Sequence, residues 1–313
     1  MEDLPLTKEL FFDIVEWMHI RYAMTTIKTR TSHLRKMFKK HKVLNKETIR
    51  VIFRSFKNPS DKASFVMINT YCSENNIDFF LNIPRMKYKK PKMPELLSPS
   101  EIRLMVDAAP KPYGLAIRCI FNMGAGLRIS EIIKMSWDDI RWIDWLNNKD
   151  SYGVVVIKQG KGGKDRVVNI PNKLMEDLYD YAKEKNVLNE FRIPSGTFMF
   201  DFGGLEEVSG KNNKYLKNNI SKKVDDEWKY LYVKTKYDWF RYNILAKCEK
   251  ALNKHIKIHS LRHSRATYLY EVEKQSIGNI QKLLGHTSID TTMRYIHIDV
   301  KNIFDMLKNT MEL

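Results

Sequence analysis

The chain has 313 residues, with 54 Lys+Arg against 37 Asp+Glu and a formal net charge of +17. That balance excludes an acidic or neutral soluble enzyme, and 43% hydrophobic with 12% aromatic residues excludes a disordered basic tail. The length suits about two domains, each large enough to bury a core without disulfides or metals.

Residues 5–80 read as four short helices, 7–21, 25–40, 46–56 and 60–75, with Asn58-Pro59-Ser60-Asp61 as a break and cap. Together they make a small all-α domain. Residues 1–93 carry 19 Lys+Arg and 9 Asp+Glu, and within them residues 21–60 hold 12 basic side chains and one acid, Glu47. Tyr22, Leu34, Met37, Phe38, Ile49, Val51, Ile52 and Phe53 interleave with those charges at helical spacing, so one face is apolar and the other basic. Arg30, Arg35, Lys36, Lys39 and Lys40 are candidates for tracking a phosphate backbone in a salt-sensitive, sequence-independent way. A solvated lysine-rich surface is the alternative. Residues 83–98, with three prolines and the basic Lys87, Lys89 and Lys90, lack apolar periodicity and read as an extended, charged linker.

Ser98 or Ser100, followed by Glu101, opens a helix that ends before Pro110, so a second domain starts near 99. Helices at 113–123 and 127–136 flank Gly124-Ala125-Gly126, and the β-rich runs 153–158 and 165–170 flank QGKGGK as a hairpin with a flexible basic tip. A helix follows at 172–185. Residues 186–235 show no clear pattern. Helices are expected at 237–253, 260–274 and 276–284, the last terminated by Gly285, and an amphipathic segment at 300–311. Cys72, Cys119 and Cys248 are too few and too scattered for a disulfide framework, and none sits in a C-x-x-C pair that could hold zinc. The N-terminus lacks the order of a signal peptide and there is no run of about 18 apolar residues, so an intracellular, cytoplasmic protein with no membrane partner is expected.

Several polar residues sit where chemistry could use them. Arg128, after the GAG turn and at a helix start, could face an anion or simply pair with Glu131. Lys161 and Lys164 lie in the hairpin tip, where an ammonium can swing into a cleft and donate a proton to a leaving oxygen. The tip lacks the G-x-x-x-x-G-K-[ST] pattern of a nucleotide loop. His259 and Arg262, three apart, point to one side of a helix, whereas His259 and His263 lack the intervening Glu and third ligand of a metal site. His286 follows Gly285, where it could cap the helix or meet an anion; Tyr295 alone would read as core. In combination, two arginines, a lysine, two histidines and a tyrosine supply the groups that displace an oxygen at a phosphodiester: guanidiniums hold the non-bridging oxygens, a lysine protonates the leaving alkoxide, a histidine handles the nucleophile's proton and the tyrosine attacks.

GAGLRISEI, GKGGKDRVV, HSLRH and LLGHTSIDTTMRYIHI resemble, in order and spacing, the signatures of the tyrosine recombinase (phage-integrase-type, Xer-like) family over residues 98–300. The resemblance implies an α+β, mainly α chain: a helical core-binding domain at 1–82, a linker at 83–98 and a mixed catalytic domain with a small β-hairpin at 99–313, closing as a C-shaped clamp around DNA. It implies that Arg128 and Arg262 hold the scissile phosphate, Lys161 is the general acid, with Lys164 close by, His259 accepts the proton or binds phosphate, His286 is the second histidine and Tyr295 the nucleophile. It further implies DNA cleavage and rejoining through a 3′-phosphotyrosine with no metal or nucleotide cofactor, double-stranded DNA with paired sites as partner, a homotetramer on that DNA, and a nucleoid-associated protein of prokaryotic or viral origin. Residues 210–234 read as an insertion relative to compact members, and the tail 300–313 as a segment that docks in trans or packs in cis. A non-catalytic DNA-binding protein on the same fold and a type IB topoisomerase are the alternatives.

Overall fold

The periodic segments of the N-terminal third fold as α1 (Lys8–Arg21), α2 (Met24–Lys40), α3 (Lys46–Ser55) and α4 (Pro59–Glu74), each within a residue of the sequence expectation. The computed structural model describes residues 3–55, 59–80, 82, 95–149, 152–158, 165–187, 198–202, 226–286 and 288–293. The chain divides into two compact units, Met1–Lys92 with Asn219–Leu231, and Met93–Asn218 with Tyr232–Leu313. In the first unit Thr7 caps α1 by accepting the Leu10 N–H, and the Asn45 side chain accepts the Glu47 and Thr48 N–H groups at the start of α3. Ile14, Met18, Leu34, Leu44 and Ile68 are fully buried at its centre, and the Trp17 indole N–H donates to Glu74 at 2.8 Å. Tyr230, from the second stretch of this unit, packs against the same core.

Helix α2 buries Met24, Ile27, Leu34 and Met37 and exposes Arg35, Lys36, Lys39 and Lys40, while Arg30 is half-buried. The guanidinium of Arg35 lies 5.8 Å from the centre of the Phe11 ring. Val51, expected on the apolar face of α3, is 49% exposed instead: Ile49 and Ile52, three apart, take the buried face, and residue 51 is turned to the opposite side of the helix. The unit also contains a two-residue antiparallel ladder, β1 (Leu4–Pro5) with β2 (Val43–Leu44), which is too short to leave a period in the sequence. The linker lysines Lys87, Lys89 and Lys90 lie outside the described residues.

The second unit runs α5 (Pro99–Ala108), α6 (Tyr113–Asn122), α7 (Ile129–Lys134), a 3-10 turn (Trp137–Asp139), α8 (Trp142–Asn147), β3 (Gly153–Ile157), β4 (Arg166–Ile170) and α9 (Asn172–Glu184). It continues with α10 (Asp226–Trp239), whose residues up to Leu231 belong to the first unit, and a π-helical turn (Phe240–Leu245). Helices α11 (Ala246–Leu252), α12 (His259–Glu271), α13 (Ile277–Leu284) and α14 (Ile289–Met293) follow. Three differences from the sequence expectation have local causes. The expected helix 127–136 is shorter and is followed by α8, whose Trp142 and Trp145 are buried with both indole N–H groups satisfied, by Trp137 O and Asn172 Oδ1. The helix expected from 237 begins at Asp226, so the end of the segment read as an insertion is helical; residues 203–225, like the tail 300–313, lie outside the described residues. The π-helical turn then shifts the register between α10 and α11, allowing Phe240, Ile244 and Leu245 to face the core.

Strands β3 and β4 pair antiparallel from Gly153↔Ile170 to Ile157↔Arg166. Val155, Ile157, Val168 and Ile170 alternate inward onto Trp137, Met175, Leu178 and the α6 residues Ile117 and Ile120. Ser98 settles the start of α5: its hydroxyl accepts the Glu101 N–H at 3.2 Å while the Glu101 carboxylate accepts the Ser98 N–H at 2.8 Å, a reciprocal box. The preceding Leu97 N–H donates to Ser264 on α12 at 2.7 Å, tying this entry to the site-bearing helix. Ser98→Ala removes one half of the box and is expected to cost ~1 kcal/mol of stability, read as a lower urea midpoint at unchanged slope.

Candidate active site

The GAG turn is where the local chemistry begins. Gly124 and Gly126 have φ of +55° and +95°, and a Cβ on Gly126 would stand 3.1 Å from Arg262 Cα, so the turn needs glycine for conformation and for close approach. The Gly124 N–H donates to Asn169 O of β4 at 3.1 Å, and its carbonyl accepts from Arg265 Nε at 3.3 Å. Arg262 is 1% exposed; one Nη donates to the Gly126 carbonyl and the other to the Leu284 carbonyl at 2.6 Å. One arginine on α12 therefore joins the turn before α7 to the last residue of α13. Ala125, Ala266, Leu269, Ile280 and Leu284 form the small apolar cluster beneath it.

Arg128 is the N-cap residue of α7, and Glu131 three residues on closes the helix start by accepting the Arg128 N–H at 2.7 Å. The same carboxylate accepts the Arg128 guanidinium at 2.8 Å and a two-pronged donation from Arg166 of β4, at 2.8 Å to each oxygen. Of the two uses open to Arg128, pairing with Glu131 is thus present, and Arg128 retains 16% side-chain exposure. Burial would raise the Glu131 carboxyl, but the Arg166 hydrogen bonds and charge, and then those of Arg128, outweigh it and bring its pKa down to about 2.

His259 opens α12. Its side chain is exposed on one side, and partial desolvation first, then the positive charges of Arg262 and Arg128, hold its pKa below the ordinary histidine value, against an opposing pull from Glu131. An imidazole so placed is neutral near pH 7 and can accept a proton. Gly285, in the left-handed region at φ +66°, ends α13, and the His286 N–H completes the cap by donating to the Gln281 carbonyl at 3.1 Å, as the capping reading of His286 expects. The His286 side chain is used as well: Nδ1 lies 3.0 Å from the hydroxyl of Thr292, which is wholly buried, and the His286 carbonyl accepts from Gln281 Nε2 at 3.1 Å.

Of the six catalytic residues the sequence nominates, Arg128, His259 and Arg262 lie within electrostatic reach of one another, and His286 stands two residues from the Leu284 carbonyl that Arg262 binds. The other two, Lys161 and Tyr295, lie outside the described residues, as does Lys164. Lys158, on the hairpin just before the tip, is held by Asp139 at 2.6 Å; that bond raises its pKa, which makes it a poor proton donor. A cleft of about 210 Å³ beside the site is lined by Glu131, Lys134, Ser136, Asp139 and Lys158, among others. Among the described residues no three His, Cys, Asp or Glu side chains group as metal ligands. No described helix is long and apolar enough to cross a membrane. Sequence reasoning missed Arg166 and the shared use of Glu131. The alternation of β4 could have placed Arg166 on one face, but its partner is 35 residues away in the chain, and nothing local announces that pairing.

Residues 95–302 match the Phage integrase family. Tyrosine recombinase XerA of Thermococcus kodakarensis is 26% identical over 224 residues, 69% of this chain and 64% of that protein, so the chain spans just under two thirds of this relative's length. Tyrosine recombinase XerD of Rickettsia prowazekii is 28% identical over 243 residues, 74% of this chain and 68% of the relative. Among solved structures, a lambda integrase tetramer bound to a Holliday junction shares the fold with a TM-score of 0.59 at 15% identity, covering 93% of this chain and 78% of that one. A match to well over half of the chain, on the same segments that carry Arg128, His259, Arg262 and His286, makes this protein a member of the phage integrase family of tyrosine recombinases.

Proposed function

We propose that the protein is a site-specific recombinase that cleaves and rejoins double-stranded DNA through a 3′-phosphotyrosine, serving integration, excision or dimer resolution. The observation that carries this reading is the convergence of two buried or half-buried arginines and two histidines from three separate segments, with a carboxylate between them. Guanidinium donors and a neutral imidazole gathered in one place are the groups that a phosphodiester's oxygens and an attacking hydroxyl would use.

In the proposed reaction the Tyr295 oxygen attacks phosphorus while Arg128 and Arg262 hold the non-bridging oxygens. The bond to the 5′-oxygen breaks, Lys161 delivers a proton to that oxygen, and the tyrosine proton passes to neutral His259. A 5′-hydroxyl from a second duplex then attacks the phosphotyrosyl bond with the proton roles reversed. The phosphodiester energy stays in the covalent link, so neither a nucleotide nor a metal is needed for rejoining. Residues 1–82 form the proposed core-binding domain, using Arg30, Arg35, Lys36, Lys39 and Lys40 on the backbone, with Lys87, Lys89 and Lys90 of the 83–98 linker and Lys164 of the hairpin tip as further contacts. Residues 99–313 form the proposed catalytic domain. A homotetramer on paired sites is the proposed working assembly, as in the lambda integrase complex.

The direct experiment incubates the protein with nicked duplexes from its own genomic neighbourhood and follows them by denaturing electrophoresis and peptide mapping. A covalent adduct at Tyr295 is expected with the natural sequence and none with Tyr295→Phe, at unchanged DNA affinity; an adduct on another residue, or unchanged cleavage by Tyr295→Phe, would displace the nucleophile assignment. Arg262→Ala should lose ~3 kcal/mol of transition-state stabilisation, about 10²-fold in single-turnover cleavage. Because the folded-state pKa of His259 is lowered, the cleavage rate should stay level through neutral pH and fall only below the ordinary histidine range, about 6.5, where His259 becomes protonated. His259→Gln should abolish that acid limb.

A further inference from the structure

Arg166 is the first residue of β4, paired across the hairpin with Ile157, and this is the last described rung before the tip. Its side chain is only 14% exposed, and both Nη groups are spent on Glu131, one on each oxygen. Glu131 in turn fixes the backbone N–H and the guanidinium of Arg128. The aliphatic stem of Arg166 passes close to the turn that precedes His286: a Cβ on Gly285 would lie 3.2 Å from Arg166 Cδ, a contact that would press the stem aside by a few tenths of an ångström. Three segments that are remote in sequence, the α7 start, the hairpin stem and the α13 terminus, meet on this one side chain.

We propose that Arg166 is a positioning residue of the strand-exchange site, clamping the tip-proximal end of the β3–β4 hairpin to the Arg128 turn and to the turn that presents His286. The inference rests on the recombinase reading above. The clamp sits five residues along the chain from Lys161, the proposed general acid. A glutamate holding Arg128 alone would orient one phosphate ligand. By also holding Arg166, it sets the distance between that ligand and the hairpin. Lysine could keep the charge but could not donate in parallel to both oxygens of Glu131. The glycine at 285 serves two purposes, the left-handed cap and the passage of the arginine stem, and this explains why a helix end and a strand start are built to touch.

Two measurements on Arg166→Met and Arg166→Lys test the clamp. The first is backbone amide exchange read by mass spectrometry on the full chain without DNA. Faster exchange is expected together in three peptides, the first turn of α7, the tip-proximal end of β4, and residues 284–286, with the α1–α4 unit unchanged. Faster exchange in β4 alone would overturn the clamp. The second is single-turnover cleavage of a nicked duplex against equilibrium binding of the same duplex. Here the cleavage rate is expected to fall by roughly 10²-fold for Arg166→Met and by less for Arg166→Lys, with Kd unchanged. Cleavage at the natural rate by both variants would overturn the positioning role, as would a loss carried wholly by Kd. Absence of any covalent adduct from the natural sequence counts instead against the recombinase reading, and amide exchange, which needs no cleavage, then decides alone whether Arg166 joins the three segments.

Discussion

The arrangement of the second unit depends on one buried carboxylate. Glu131 is 8% exposed, and an ionised carboxylate at that depth is tolerable only if cations and hydrogen bonds meet both oxygens. Here they do: Arg166 meets both, and the Arg128 backbone and side chain take what remains. The depressed pKa of about 2 is the same fact seen as an equilibrium, since the proton would have to displace two guanidiniums. Glu131 gains from this folded-state depression above the unfolded carboxyl pKa of about 4.3, and the gain is lost only as pH falls toward 2. The network is therefore constant across any pH at which DNA chemistry is run.

Arg262 is anchored on a different principle. Its two Nη groups reach backbone carbonyls, at Gly126 and Leu284, and a carbonyl orients a guanidinium without cancelling its charge. Glu131 neutralises part of the positive charge near Arg128, whereas the two carbonyls fix the direction of the Arg262 guanidinium. His259, flanked by both arginines, responds with a lowered pKa. A neutral base beside guanidinium groups is the combination that a phosphodiester reaction requires: the anion is attracted while the base stays ready to take a proton. Protonating His259 would add a third positive group to the cluster, so the electrostatics that favour the anion also keep the base free.

Features carried by neighbouring residues were legible in the sequence. The four N-terminal helices, the Ser98–Glu101 box, the β3–β4 hairpin and the Gly285 terminator all depend on side chains within a few positions of one another, and each stands where expected. The four candidate residues now seen together were also legible, because motif order preserves them even though the contacts that join them do not appear in it. What escaped depends on partners far along the chain. Arg166 and Glu131 are 35 positions apart, Arg262 and Gly126 are 136 apart, and the β1–β2 ladder joins the N-terminus to residue 43. Helix α8 escaped for another reason. In a six-residue helix two buried tryptophans dominate the composition, and the hydrogen bonds that make their burial tolerable, to Trp137 and Asn172, come from outside the helix.

The distribution of charge separates affinity from chemistry in physical terms. Lysines and arginines on the outer face of α2 are solvated, so whatever they contribute to holding a polyanion is screened within about 10 Å at 0.1 M salt. The charges around Glu131 and Arg262 lie in the interior of the second unit, beside an apolar cluster, where salt reaches them poorly. Surface charge can then be gained or lost over evolution with a graded effect on binding, but the interior set cannot be altered one residue at a time. Removing Arg166 leaves Glu131 to Arg128 alone, removing Glu131 takes away the carboxylate that two mostly buried guanidiniums share, and adding a methyl group at Gly285 presses on the stem of Arg166. The interior charges behave as one unit because each is the solvation shell of the next.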